Sequence, residues 1–231
     1  MNNSIIKKVL NRYKCLEELF RRDTHTWVDM QEDELWFHIC FCILSSNVPF
    51  EMAQSATTHL IEMNLIDRKQ SALHPKMSLE CIASELSKPC YLPPKKNKNK
   101  RKYRFPNVRA KHIVQTAVNL QGIRIKDALQ RCETDYQGRD FFVKYVYGMG
   151  YKESSMFLRN IGYSCTLAVI DNHILHFMKE IGLVDPKEYR IQSPKTYLQL
   201  EMLLRNFASE KQVELPILDI AIWQSMREAL V

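Results

Sequence analysis

The chain has 231 residues, 45% of them hydrophobic and 26% charged, and carries a net charge of +7. That is enough for a sizeable core, expected as two small lobes around a cleft. No apolar run is long enough to span a membrane, and the N-terminal stretch MNNSIIKKVLNRYKCLEELF is too often broken by charges for a signal peptide, so an intracellular protein is expected.

Seven cysteines, odd in number and scattered, read as free thiols rather than a disulfide framework. None follows Cys165, which leaves no C-terminal four-cysteine iron–sulfur loop. No His or Cys pair has zinc spacing, so no metal ligand is assigned.

From Asn3 to Arg22, Ile6, Val9, Leu10, Tyr13 and Leu16 recur at helical spacing, with basic residues opposite. Asp33 is the expected cap of a helix from Glu34 to Ser45 that is apolar almost all round and therefore central. His38 within it is expected as a hydrogen-bonded interior histidine. Ser45-Ser46-Asn47-Val48-Pro49 breaks that helix, and Phe50 to Met63 forms the next, with Asn47 as its cap. Residues 64–77 read as mixed loop and short structure, and Ser78 as the cap of a short helix to Leu86. Ser87 to Arg104 holds three prolines and, from Lys95, seven basic residues with no acidic one. Such a loop is either a solvated surface stretch or an electrostatic arm along a polyanion.

Pro106 opens a helix to Leu120. Arg109 and Lys111 fall in its first turn, where cations oppose the helix dipole, and a nearby phosphate would account for them. Ile125 to Cys132 is a short helix, and Thr134-x-x-Gln137 is a capping box for its successor. Further helices run from Asp171 to Glu180, from Ser193-Pro194 to Ala208 and from Pro216 to Leu230. No stretch alternates like a strand and nothing repeats, so the fold class is all-α.

The densest pattern lies between these segments. Three of the six glycines are Gly148, Gly150 and Gly162. Helical runs Phe141 to Tyr147 and Lys152 to Ile161 meet at Gly148-Met149-Gly150. Glycine permits the positive φ of a tight helix–helix turn and a close approach of ligand to backbone. The amides of Met149, Gly150 and Lys152 would then point outward at a helix start and form a phosphate-sized anion site. Asp171 stands nineteen residues after Lys152, at another helix start, followed by His173.

The run YGMGYKESSMFLRNIGY followed by VIDNH resembles the helix-hairpin-helix DNA glycosylase superfamily, and within it the type 2 8-oxoguanine DNA glycosylase/AP lyase family. Arg104-Phe-x-Asn-x-Arg109-Ala110 and Leu218-Asp219-Ile-x-Ile-Trp223 are similar to the same family. The resemblance implies a two-lobed, all-α helix-hairpin-helix fold with its active-site cleft between the lobes. One lobe is expected over 25–125 with the basic loop 93–104. The other is expected from 1–24 plus 126–231, carrying the hairpin over 134–162 and the catalytic aspartate. The implied partner is double-stranded DNA containing a damaged base, with no membrane, bound by a monomer. No cofactor is required, although a monovalent cation at the hairpin is expected.

A base inside a duplex must be rotated out before its glycosidic bond can be attacked. The resemblance implies that Lys152 is the nucleophile at C1′ and Asp171 the assisting carboxylate, removing 8-oxoguanine through a Schiff base and then cutting the strand by β-elimination. Arg109, Met149 and Gly150 are expected to contact DNA. Asn47 either fills the vacated stack or only caps a helix, and His173 either orients the 5′ phosphate or caps locally. Met156, Asp219 and Trp223 are the expected base pocket. Trp223 stacks on the purine or belongs to the core; Asp219 accepts from the base edge or holds a neighbouring group. The family typically ends in a lysine, whereas this chain ends Ala229-Leu230-Val231, so another group takes that role or guanine is discriminated differently. A glycosylase for another lesion and a non-catalytic DNA-binding module are the competing readings.

Overall fold

The structure is a computed structural model that describes residues 3–22, 26–93, 99–185, 187, 191 and 193–228. Twelve helices occupy them. These are α1 (Asn3–Arg22), α2 (Glu32–Ser45), α3 (Phe50–Glu62), α4 (Arg68–Leu73), α5 (Pro75–Leu86) and α6 (Pro106–Asn119). After them come α7 (Ile125–Gln130), α8 (Asp135–Tyr145), α9 (Tyr151–Asn160), α10 (Asn172–Glu180), α11 (Pro194–Glu210) and α12 (Leu215–Glu228). The β pairing among the described residues is one isolated bridge, Tyr91 with Arg101, at the base of the basic loop. Much of that loop, like the three C-terminal residues, lies outside the described residues. The expectation of an all-α fold therefore holds.

The chain divides into two compact units, Trp27–Ile161 and the pair Met1–Thr26 with Gly162–Val231. The hairpin accordingly falls in the middle unit, whereas the sequence reading grouped it with the termini. The physical reason is that α9 packs against α2, which is central to the middle unit.

In the middle unit α3, α6, α7 and α9 all pack against α2, whose Leu35, Trp36, Ile39 and Ile43 are buried. An almost wholly apolar helix can be solvated on no side, so it takes the centre. Its cap is Gln31, not Asp33; the Gln31 amide donates to Glu34 Oε2. Glu32 accepts from the amides of Ile125 and Lys126 at 2.8 and 3.0 Å, placing a negative charge at the start of α7. His38 is only part-buried, and burial still pushes its imidazole below the usual value. Pro49 precedes α3 where Asn47 was expected, and α5 begins at Pro75, which leaves Ser78 buried inside it. Proline suits the first helical turn because its missing N–H would have no partner there. The stretch read as mixed loop contains α4, capped by Asp67 through the Gln70 amide at 2.6 Å.

In the other unit α1, α10 and α11 pack against α12, whose Leu218, Ala221 and Ile222 are fully buried. Lys8 donates to the Ser225 carbonyl at 3.0 Å, and the Glu214 amide donates to Tyr13 Oη at 3.0 Å, so polar contacts at both ends of α12 fix its seating on α1. Ser193 caps α11 through the Thr196 amide at 3.2 Å, as its position before Pro194 predicts.

Candidate functional site

The hairpin is built from both sides. Thr134 caps α8 by accepting from the Gln137 amide at 3.2 Å, and the Gln137 side chain reaches back to the Glu133 amide at 2.7 Å. Gly148 turns the chain with φ 79°, and Gly150 then caps α9 from ordinary extended backbone. Helix α6 braces the turn. Thr116 Oγ accepts from the Tyr147 amide at 3.0 Å, and Asn119 donates to the Tyr145 carbonyl at 3.3 Å. Arg139 of α8 is 1% exposed and lies over the rings of Tyr136 and Tyr151, with centroids 5.4 and 4.7 Å away. It also donates to Ser155 Oγ at 3.4 Å, which ties α8 to α9.

Lys152 is the second residue of α9, and its side chain is 27% exposed. Its Nζ lies 3.5 Å from Glu153 Oε1, while Glu153 Oε2 accepts from the Gly150 amide at 3.3 Å. One carboxylate thus holds the helix start and the amine together. The Met149 amide donates to the Val146 carbonyl at 3.4 Å. Two of the three amides expected to face a phosphate are therefore bonded within the hairpin, because the turn satisfies its own donors. The amide of Lys152 precedes the first bond of α9, from Ser154 to Gly150 at 3.0 Å. Beneath this region the fully buried Cys42 of α2 has its thiol pushed up to about 12 by burial, against the opposing pull of Lys152. Met156 is half-buried, one turn along α9 from Lys152 and on the same face.

Arg109 is held by protein groups. It is 7% exposed, donates to the Ser46 carbonyl at 2.9 Å, and meets His112 Nδ1 at 3.2 Å. Its guanidinium props the turn after α2 rather than facing solvent, because the carbonyls at a helix C-terminus carry a partial negative charge that attracts a cation. The exposed Arg104 donates to the next carbonyl, that of Asn47, at 3.2 Å. Asn47 itself is exposed in the left-handed region, with φ 61°, a conformation asparagine tolerates better than most residues.

The remaining expected residues lie in the other unit. Asp171 caps α10, its Oδ1 accepting from the Ile174 amide at 2.9 Å. A carboxylate has two oxygens, so a cap and a chemical role are compatible. His173 meets Trp223 edge-on, with centroids 6.4 Å apart, and the Arg227 guanidinium lies 5.0 Å from the same indole. Trp223 is part-exposed and so is not a closed core residue. Asp219 is 1% exposed, and its Oδ2 accepts from the Val169 amide at 3.0 Å, so this carboxylate holds backbone. The structure thus gathers Met149, Gly150, Lys152 and Met156 on the hairpin, and Asp171, His173, Asp219 and Trp223 around α10 and α12.

Sequence reasoning missed Glu153 and Arg139. Glu153 was legible, because it stands three residues after the cap, where a glutamate closes a capping box. Arg139 was not, because an arginine in a polar helix reads as a solvated one until the rings of Tyr136 and Tyr151 are seen against it.

A family model described as 8-oxoguanine DNA glycosylase matches residues 16–213. The 8-oxoguanine DNA glycosylase/AP lyase of Sulfolobus acidocaldarius is 30% identical over 226 residues, covering 96% of this chain and 97% of the relative. The structure is similar to that of the 8-oxoguanine DNA glycosylase of Thermotoga maritima, with a TM-score of 0.72 and 25% identity over 96% of this chain and 95% of the other. It is also similar to the Methanocaldococcus jannaschii 8-oxoguanine glycosylase/lyase solved with a 15mer DNA containing 8-oxoguanine. There the TM-score is 0.66 and the identity 26%, over 96% of this chain and 89% of the other.

Proposed function

The chain belongs to the 8-oxoguanine DNA glycosylase family, and from that premise we propose how its residues carry the reaction. The protein is a base-excision repair enzyme, a DNA N-glycosylase and AP lyase whose partner is double-stranded DNA containing 8-oxoguanine. No helix among the described residues is long and apolar enough to cross a membrane. Its substrate assigns it to the inside of the cell, with the genome.

Lys152 is the nucleophile. The observation that supports this most directly is its setting: an amine at a helix start, behind a glycine turn, held beside a carboxylate at 3.5 Å. Its Nζ bonds to C1′ as the glycosidic bond breaks and its electron pair leaves with the base. Opening of the sugar ring at O4′ gives the Schiff base. Loss of a proton from C2′ then expels the 3′ phosphate, which completes β-elimination. Asp171 stabilises the positive charge that develops on the sugar as the base departs. The bond from the Ile174 amide holds one of its oxygens in place, so no reorganisation is needed at that moment.

Trp223 supplies the π-face for the flipped purine, and His173, set against its edge, is the donor to the 5′ phosphate. Asn47, exposed at a turn propped by Arg104 and Arg109, fills the vacated stack. The amide of Lys152 anchors a backbone phosphate at the start of α9. A monovalent cation at the hairpin would be held by carbonyl oxygens of the Gly148 turn, which is oxygen chemistry suited to such an ion; its role there is to attract phosphate, not to react.

The deciding experiment is borohydride trapping on an 8-oxoguanine duplex beside an undamaged control. A covalent adduct with the lesion duplex alone is expected, and its loss in Lys152→Gln with duplex binding retained identifies the nucleophile. Wild-type cleavage of abasic DNA by that variant would overturn the assignment.

A further inference from the structure

Asp171 is delivered to the start of α10 by residues 166–170, a segment without regular secondary structure. Ser164 Oγ begins it by accepting from the amides of Thr166 and Leu167 at 3.3 and 3.1 Å. Its peptide groups bond to two different helices. Toward α11, Arg205 donates through Nε and Nη2 to the Thr166 carbonyl at 3.2 and 3.0 Å. Glu201 Oε1 accepts from the Ala168 amide at 3.0 Å. Tyr197 Oη accepts from the Ile170 amide at 3.2 Å and donates to the Ala168 carbonyl at 2.7 Å. Toward α12, Asp219 takes the intervening amide, that of Val169, at 3.0 Å.

The three α11 residues recur every four positions and so share one helix face. Glu201 and Arg205 are also 3.6 Å apart, and Glu201 and Tyr197 are 1% and 3% exposed. A buried carboxylate is costly unless bonded, and burying apolar side chains alone would have packed α11 at less cost. What the polar face adds is register. Slipping the segment by one residue would turn every bonded amide away from its acceptor.

We infer that Tyr197, Glu201 and Arg205 are positioning residues that act through segment 166–170 to set where the Asp171 carboxylate stands. The inference rests on the reading of Asp171 as the carboxylate that assists base departure. That step should depend on these bonds, whereas cutting at a preformed abasic site needs Lys152 and should not.

The test uses the full chain and four variants: Tyr197→Phe, Glu201→Ala, Glu201→Gln and Asp171→Asn. Base release from an 8-oxoguanine duplex is measured under single turnover, beside strand cleavage of an abasic duplex, duplex affinity and the unfolding midpoint. Tyr197→Phe and Glu201→Ala should slow base release by about tenfold to a hundredfold, the scale on which a misplaced group costs rate. Abasic cleavage and affinity should stay near wild type. Glu201→Gln keeps an acceptor oxygen and should recover most of what Glu201→Ala loses; being nearly isosteric, it also decides the matter if the others fold poorly. Unchanged base release in Tyr197→Phe and Glu201→Ala would overturn the inference. So would a fall in both steps that only tracks loss of folded protein. Wild-type base release by Asp171→Asn would instead overturn the underlying reading of Asp171.

Discussion

A Cβ added to Gly148 would lie 2.1 Å from Nδ1 of His112. The same residue has φ 79°, so Gly148→Ala meets both a clash and a strained backbone. The strain alone costs about 1–3 kcal/mol. Gly150 has no such constraint, since its added Cβ would come no closer than 3.8 Å to Glu153 Oε2. Thermal unfolding and borohydride trapping should therefore separate the two glycines: Gly148→Ala loses stability and adduct, and Gly150→Ala loses far less of either, no more than the poorer cap that alanine makes. Adding His112→Ala to Gly148→Ala should return part of the stability, because it removes the clash but not the strain.

Asp171 combines a cap with a proposed chemical role, and two substitutions part them. Asparagine caps helices as well as aspartate does, whereas alanine costs about 1 kcal/mol. Asp171→Asn should unfold near the wild-type temperature while losing base release. Asp171→Ala should lose base release and also unfold earlier. A stable Asp171→Asn with full activity would leave the residue as a cap alone.

Arg109 is bonded to the Ser46 carbonyl, so its loss should register as stability rather than as phosphate binding. Removing a charged partner from a bonded carbonyl costs about 1.5–3 kcal/mol. Arg109→Ala should destabilise on that scale, with the salt dependence of duplex affinity unchanged. A loss of about one unit in the salt slope would instead mark a direct phosphate contact.

Burial pushes His38 and His112 below their ordinary value of 6.5, and Arg109 and Lys111 add to the effect at His112. Each stays neutral in the folded protein at a pH where the unfolded chain would bind a proton. The stability this confers is complete above about 6.5, the unfolded value, and declines as pH falls below it. Glu85 is shifted downward by its bonds to Lys88 and His59, so its contribution is lost only in more acid solution, below 4.5. Unfolding midpoints should fall between pH 7.5 and pH 5.5 (; roughly the window of a histidine), and His38→Gln should flatten that fall.

Cys40 and Cys42 are fully buried, and burial raises both thiols, Cys42 to about 12. Cys15, Cys81 and Cys165 are exposed. Alkylation at neutral pH should label the exposed three first, and the two α2 thiols only after unfolding. Labelling of Cys42 in the native protein would contradict the packing of α9 on α2.

The amino-acid sequence by itself determined the helical class, the turn at Gly148, the cap at Asp171 and the pairing of Lys152 with a helix start. Each follows from rules that act within about one helical turn: periodicity, capping and the φ that only glycine takes freely. Even Glu153 belonged to that set, since its partner at Gly150 is three residues away. Tertiary structure alone decided the rest. Arg109 reaches Ser46 across 63 residues, Asp219 reaches Val169 across 50, and Glu201 reaches Ala168 across 33. A basic residue in a first turn and a carboxylate on a helix face carry no local mark of which partner they will meet. Both must be bonded once buried, so the fold, by burying them, set them on backbone carbonyls and amides far away in sequence.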